Sequence, residues 1–170
     1  IVSRDWSSDV CSSDLNAAET LLVHRDIAAE FLPMALKALN ESGVVLHADT
    51  EAAKAAELLG IRAQAATAAN WSTEYGVLEM NVGVVDSVEE ASAHIAKYGT
   101  NHTESIVTEN KETAEKFVKL SDCAAVMINA STRFTDGEQM GFGAEIGISN
   151  QKLHARGPMG LEQMTTTTWV

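Results

Sequence analysis

Cysteine, proline and aromatic residues are scarce in this 170-residue chain, which has two Cys, two Pro and 5% Phe, Trp and Tyr. Two thiols as far apart as Cys11 and Cys123 give neither a disulfide framework nor a zinc cluster, and the simplest setting for them is a reducing cytoplasm. Basic residues are half as numerous as acidic ones, 12 against 24, for a formal charge of −12. That balance repels phosphate backbones and argues against a nucleic-acid partner. No apolar run approaches the roughly 20 residues of a membrane span, and no segment reads as a signal peptide. Nor is any metal-ligand spacing present. What is there is ordinary globular material, 45% apolar and 21% charged, enough for about one domain at roughly 150 residues each.

Residues 1–15 (IVSRDWSSDVCSSDL) stand apart. They carry two near-copies of Ser-Ser-Asp and no amphipathic period, as a polar tail would. Residues 5–15 also resemble one reading frame of a short-read sequencing adapter, and a non-native segment of that kind is set aside in fold reasoning. On that reading the authentic chain starts at Asn16, and Cys11 is incidental.

From Asn16 onward, short apolar runs alternate with capped helices. Segment 19–23 (ETLLV) reads as a strand. Asp26 is placed to cap a helix with Phe31, Ala35 and Leu39 on one stripe and Leu32 and Leu36 beside it. Pro33 lies inside that pattern and predicts a kink or a late start, and Gly43 fits the helix end. Segment 44–47 reads as a strand, Thr50 as the cap of an Ala-rich helix stopping at Gly60, and 61–72 as irregular. Segment 78–85 (LEMNVGVV) is a strand of mixed polarity. Ser87-x-x-Glu90 is a capping box for a helix that carries Ala91 and Ile95 and ends at Gly99. Strand 105–108, a helix capped by Asn110 and carrying Ala114, Phe117 and Val118, and the unbroken apolar strand 124–128 follow. Apolar strands alternating with capped helices predict an α/β fold whose parallel sheet is covered by helices. From Asn129 to Gly160 six glycines break any long period, and a loop of that length is usually functional. Segment 165–170 (TTTTWV) has the β-propensity of a terminal strand, which needs a neighbour in a sheet or in a partner subunit.

Five stretches carry a resemblance: NAAETLLV at 16–23, YGTNHTESI at 98–106, NASTRFTDG at 129–137, GFGAEIGIS at 141–149 and QKLHARGPMGL at 151–161. In this order and without large gaps they resemble the γ-glutamyl phosphate reductases (glutamate-5-semialdehyde dehydrogenases) of the aldehyde dehydrogenase superfamily. The resemblance implies an aldehyde-dehydrogenase-like catalytic domain over 16–160, cut from the C-terminal portion of such an enzyme, and over 161–170 a β strand of the oligomerisation extension. It implies an oxidoreductase of proline biosynthesis that reduces L-glutamyl 5-phosphate to the semialdehyde with NADPH, in the cytoplasm and as a homo-oligomer. The chemistry of that family runs through a cysteine thiolate, a good nucleophile and leaving group near neutral pH, which forms a thioester and then receives hydride at the acyl carbon. The family places that cysteine directly before Asn-Ala-Ala-Glu, where this chain has Leu15, so no catalytic residue is assigned and the chain is expected to be inactive. Most of the NADPH site is expected to lie outside it as well. The alternative is a non-catalytic module that binds a glutamate-like ligand or a partner.

The resemblance also supplies candidates. Glu74, in WSTEY, matches the superfamily glutamate that holds the nicotinamide ribose, and a carboxylate can accept from two ribose hydroxyls at once. The sequence after Tyr75 departs from the commoner family pattern. Ser131 and Arg133 lie just past a strand's carboxyl end, where open α/β sheets place ligands, and a guanidinium fork suits the substrate α-carboxylate. Gly143 and Ala144 resemble the aldehyde-anchor loop, whose backbone amides face the substrate carboxylate. Glu145 reads as holding that loop by hydrogen bonding. His102 reads as structural and Cys123 as a packed thiol. His154, Arg156 and Pro158 belong to a signature loop to which no role is assigned.

Overall fold

The structure, a computed structural model, describes residues 17–170. The adapter-like segment 1–15, with Leu15 and Cys11, lies outside the described residues. The chain divides into two compact units, one ending at Tyr98 and the other spanning Gly99–Val170. The expected single stretch 16–160 is therefore two bodies, and each is described by itself.

The first unit is built on β1 (Thr20–His24), α1 (Arg25–Glu41), β2 (Val45–Ala48), α2 (Thr50–Leu58), β3 (Ala63–Ala65), α3 (Ala68–Trp71), β4 (Glu79–Val85) and α4 (Val88–Tyr98). Four strands form a parallel sheet in the order β1-β4-β2-β3. The predicted parallel sheet is present; β3 and α3 occupy the stretch expected to be irregular. Helix α1 begins at Arg25, one residue before the expected cap. Its N-cap is His24, whose Nδ1 accepts the Asp26 N–H at 3.2 Å. It runs through Pro33, neither starting late nor stopping there, because its buried face of Ala28, Leu32, Ala35, Leu36 and Leu39 spans the proline on both sides. It ends in a Schellman turn: Gly43, at φ 77°, donates to Asn40 O at 3.0 Å, and Val44 N donates to Leu39 O at 3.0 Å.

Helix α2 is capped by Asp49 instead of Thr50. Asp49 Oδ1 accepts from Glu51 N and Ala52 N at 2.9 and 2.8 Å, while Oδ2 accepts the Val84 N–H at 2.6 Å. One carboxylate thus starts a helix and bonds a neighbouring strand. The Ser87–Glu90 box is half as expected: Glu90 N donates to Ser87 Oγ at 3.1 Å, but Glu90 Oε2 reaches the Asp86 N–H at 2.6 Å. The core gathers Val23, Leu32, Leu36, Leu39, Leu46, Met80 and Val82 with small residues of α2, an apolar layer between α1, α2 and the sheet.

The second unit pairs β5 (Thr103–Ile106) in parallel with β6 (Ala125–Ile128), joined through α5 (Lys111–Leu120). Asn110 caps α5 as expected, accepting from Thr113 N at 3.0 Å, and Ala114 and Phe117 are its buried residues. The stretch from 129 contains more structure than its glycines suggested: a 3₁₀ turn (Thr132–Phe134), an antiparallel pair β7 (Gly147–Ser149) and β8 (Gly157–Met159), and a second 3₁₀ turn (Glu162–Met164). Residues 165–170, expected as a strand, pair with no strand among the described residues. Propensity alone cannot form a ladder without a partner for the backbone N–H and C=O groups. Among the described residues no helix is long and apolar enough to cross a membrane, and no group of three or more His, Cys, Asp or Glu could hold a metal ion.

Candidate functional site

In the first unit Glu74 is exposed on the segment between α3 and β4. Its surroundings are fixed by a set of polar side chains lying on the sheet. Asn81, wholly buried in the middle of β4, donates through Nδ2 to Asn70 O at 3.0 Å and to Thr20 Oγ1 at 3.2 Å, and its Oδ1 accepts from the Tyr75 hydroxyl at 2.8 Å. Asn70 Nδ2 lies 3.2 Å from that hydroxyl oxygen and 3.3 Å from His47 Nδ1. His47 Nε2 is 2.7 Å from Glu79 Oε2. A carboxylate accepts, so the imidazole proton sits on Nε2 and Nδ1 accepts from Asn70. The His47 and Tyr75 rings stack with centroids 5.3 Å apart. Burial pushes the Tyr75 phenol up, which keeps it a neutral donor.

Two more contacts fasten the Glu74 segment. Asn70 and Thr67 form a reciprocal capping box at the start of α3, and Thr73 N donates to Asn70 O at 3.0 Å. The Tyr75 N–H donates to Glu19 Oε1 at 3.2 Å. Glu19 immediately precedes β1, so the loop is tied to the segment that follows the family's cysteine position. Burial pushes the Glu19 carboxyl up, the neighbouring Glu74 charge adds to this, and the Tyr75 N–H bond opposes both. Beside the loop, Trp71 meets His94 edge-on at 4.8 Å. Gly83 lets the indole approach, since a Cβ there would sit 3.1 Å from Trp71 Cη2 and 3.3 Å from Asp49 Oδ2.

In the second unit Ser131 caps the Thr132–Phe134 turn, its Oγ accepting the Arg133 N–H at 3.1 Å. This turn follows the carboxyl end of β6, as the sequence predicts. Gly143 and Ala144 are exposed, with Gly143 at φ 76°. The chain between the two pairs closes on itself: Phe142 N donates to Gly137 O at 2.7 Å, and Glu145 Oε2 accepts the Gly137 N–H at 2.7 Å. Glu145 therefore holds the loop, as its position suggested. Gly137 is packed against it so closely that a Cβ would lie 2.6 Å from Ala144 O. Ser131, Arg133, Gly143 and Ala144 all lie in the connection between β6 and β7 of the second unit, while Glu74 belongs to the first.

The remaining residues of the motifs have structural work. His102 Nδ1 is 2.7 Å from Thr103 Oγ1. Arg156 Nη2 donates to Asp122 O and Oδ1, each at 3.2 Å, and Lys152 pairs with the same carboxylate, holding its carboxyl below the usual range. Pro158 pairs with Ile148 in the β7–β8 ladder, and His154 sits at positive φ in the connection. Cys123 Sγ donates to Ala125 O at 3.0 Å, and burial pushes its thiol up, the reverse of what a nucleophile needs. The sequence reading missed Glu19, His47, Asn70 and Asn81. The visible signal was the mixed polarity of strand 78–85, with Glu79 and Asn81 among apolar residues.

No family profile matches the chain. It is 54% identical over 154 residues to "Gamma-glutamyl phosphate reductase" of Kineococcus radiotolerans, a match covering 91% of this chain and 36% of that protein. To the protein of the same name from Thermobifida fusca it is 56% identical over 168 residues, covering 99% of this chain and 38% of the relative. The crystal structure of Gamma-glutamyl phosphate reductase from Thermotoga maritima superposes with a TM-score of 0.86 at 50% identity, over 94% of this chain and 38% of that one. Propionaldehyde dehydrogenase from Clostridium phytofermentans, at 16% identity and a TM-score of 0.60, shares the fold. The chain spans slightly more than a third of the length of the curated relatives it matches, and over that span it matches the γ-glutamyl phosphate reductases and has an aldehyde-dehydrogenase-like fold.

Proposed function

We propose that the longer protein to which this stretch corresponds reduces L-glutamyl 5-phosphate to L-glutamate 5-semialdehyde and phosphate, in the supply of proline. The observation that carries the reading is identity above 50% with γ-glutamyl phosphate reductases across nearly the whole chain. NADPH, when bound, would supply the hydride to the acyl carbon of the thioester, from which phosphate has already left, and the thiolate then departs as the aldehyde forms. Glu74 fits such a ligand: it is an exposed carboxylate, able to accept from both ribose hydroxyls, on a segment bonded to the sheet. Arg133 and Ser131 bind the substrate α-carboxylate, and the Gly143 and Ala144 amides orient it from their turn, which glycine at positive φ allows. The protein works as a homo-oligomer in the cytoplasm.

The chain as given does not turn over, because leucine at position 15 has no lone pair with which to form a thioester. That residue is also the observation favouring the other reading, a ligand- or partner-binding module. The test uses the full-length protein with cysteine at position 15, assayed for NADP-dependent oxidation of glutamate semialdehyde in phosphate. Turnover is expected there and absent from the present chain. Replacing Arg133 by Ala is expected to raise the KM for semialdehyde by about tenfold or more with the fold intact. Turnover by the present chain above a heat-killed control, or none from the cysteine-bearing protein, would overturn this reading.

A further inference from the structure

We propose that Glu19 and Asn81 are positioning residues for Glu74, clamping the segment that carries it onto the β1–β4 pair from two sides. The inference rests on the reading that Glu74 receives a cofactor ribose, and it adds residues to which no part of that reading gives a role.

The argument begins with how Glu74 is mounted. It is exposed, and four residues separate it from the start of β4, a length of chain that left to itself would move. A side chain that must meet two hydroxyls of a ligand needs its backbone held, because an ångström of freedom costs much of the benefit of orientation. Asn81 grips both ends of the segment at once. Its amide donates to Asn70 O, four residues before Glu74, and its carbonyl accepts from the hydroxyl of Tyr75, the residue after it. Asn81 is itself immobilised: it is wholly buried, its backbone N–H donates to Glu19 O at 2.8 Å, and its amide also donates to Thr20 Oγ1. Leucine or valine would suit that site in a sheet better, so the buried amide is accounted for by what it bonds. Glu19 adds the second grip by accepting the Tyr75 N–H, the backbone group adjoining Glu74. Asn70 and Tyr75 meet His47, which Glu79 orients, so each polar group of the cluster has a partner and the set behaves as one rigid body. Because Glu19 immediately precedes β1 and Thr20 begins it, the clamp ties the ribose carboxylate to the strand that follows the cysteine position.

The test is amide exchange on the present chain, read at Glu74 and Tyr75 against Val23 and Val84 in the strands. Glu19→Ala is expected to speed exchange at Glu74 and Tyr75 by about tenfold with the strand amides unchanged, as loss of a hydrogen bond to a charged acceptor should. Glu19→Gln keeps an acceptor oxygen and is expected to restore protection to within about twofold. Asn81→Ala is expected to loosen the same two amides; because it could also unfold the sheet, Glu19→Ala decides if that variant does not fold. Exchange unchanged in Glu19→Ala, or strand amides loosened equally, would overturn the clamp. NADPH is then titrated into the full-length protein and followed at the Glu74 resonance. Binding is expected to weaken about fivefold in Glu19→Ala and to recover in Glu19→Gln. If Glu74→Gln leaves NADPH binding as it was, the ribose reading fails while the exchange result still judges the clamp.

Discussion

Two regions carry candidate site residues, and they are held by different means. The Glu74 segment is fastened by side chains: Asn81, Tyr75, Asn70 and His47 lie on a sheet and bond one another, with Asn81 fully buried. The loop from Ser131 to Glu145 relies more on its own backbone, through Phe142 N to Gly137 O and Met140 N to Asp136 O, with Ser131, Asp136 and Glu145 accepting backbone N–H groups of the loop itself. The first arrangement rests on a layer of Leu32, Leu36, Leu39, Leu46 and Met80. Around the second, Phe134, Phe142 and Ile146 remain 45–64% exposed. A side-chain network over a packed layer is rigid but fails when one member is removed. A loop closed by backbone bonds tolerates changes of side chain and fails when its path is blocked. The contrast therefore predicts different kinds of sensitivity in the two units.

The largest effect is expected in the layer beneath the first site. Leu36 is completely buried, and Leu36→Ala should cost about 2–5 kcal/mol in urea unfolding, with amide protection lost first in β1, β2 and β4. Equal loss in β5 and β6 would break the contrast between the units. Next, Asn81→Ala removes partners from a buried hydroxyl and carbonyl, and about 1–3 kcal/mol of destabilisation is expected from the same measurement. Asn81→Asp should recover little, since an ionised carboxylate can accept from Tyr75 but cannot donate to Asn70 O. In the second unit Gly137→Ala forces a methyl group to within 2.6 Å of Ala144 O, so the loop must move. Limited proteolysis between 138 and 146 is expected to accelerate about tenfold while the unfolding midpoint of the first unit is unchanged. Replacing the exposed Gln139 in the same loop should leave the cleavage rate as it was. Greater sensitivity to Gln139 than to Gly137 would reverse the view that backbone holds this loop.

What was legible in the sequence followed the same division. The alternation of apolar runs and capped helices fixed the α/β class, because period and caps are local signals, and Gly43 and Asn110 perform the turns expected of them. Caps misjudged by two residues and by one, His24 for Asp26 and Asp49 for Thr50, reflect neighbours of similar capping chemistry whose choice depends on tertiary contacts; Asp49 also has Val84 N to satisfy. Pro33 predicted a kink or a late start; the helix does not start late, beginning at Arg25 and running through the proline with buried residues on both sides. The terminal segment 165–170 has strand propensity and no ladder among the described residues, which no local signal could reveal. Of the site, Ser131, Arg133, Gly143 and Ala144 could be chosen by resemblance and do share a loop. The network around Glu74 could not, because His47, Asn70, Glu79 and Asn81 are spread over 35 positions and only sheet register brings them together. In that register His47 lies beside Asn81 on neighbouring strands.

The smallest effect expected is also the one that discriminates most finely, because it concerns a group at the border of the rigid region. His94 projects from α4 against Trp71 and Tyr98, with ring centroids 4.8 and 4.7 Å away, and its Nε2 is buried without a hydrogen-bond partner. Burial lowers its affinity for a proton, Lys97 acts in the same direction, and Glu90 opposes both. The folded state therefore holds His94 neutral at a pH where the unfolded chain binds a proton. Stability from this group is complete above the ordinary histidine range near 6.5 and is lost as pH falls from there through the lower folded value. Glu19 runs the opposite way: its raised carboxyl contributes stability that is present below about 4.5 and lost as pH rises through the folded value. Urea midpoints at pH 7.5 and 5.5 for the natural chain and for His94→Phe separate the two groups. The natural chain is expected to lose more stability between these pH values than the variant, whose ring keeps the edge-on contact with Trp71 and carries no proton. Equal losses would mean that the Trp71 side of the Glu74 segment is wet, and the boundary of the rigid region would then have to be drawn inside α3.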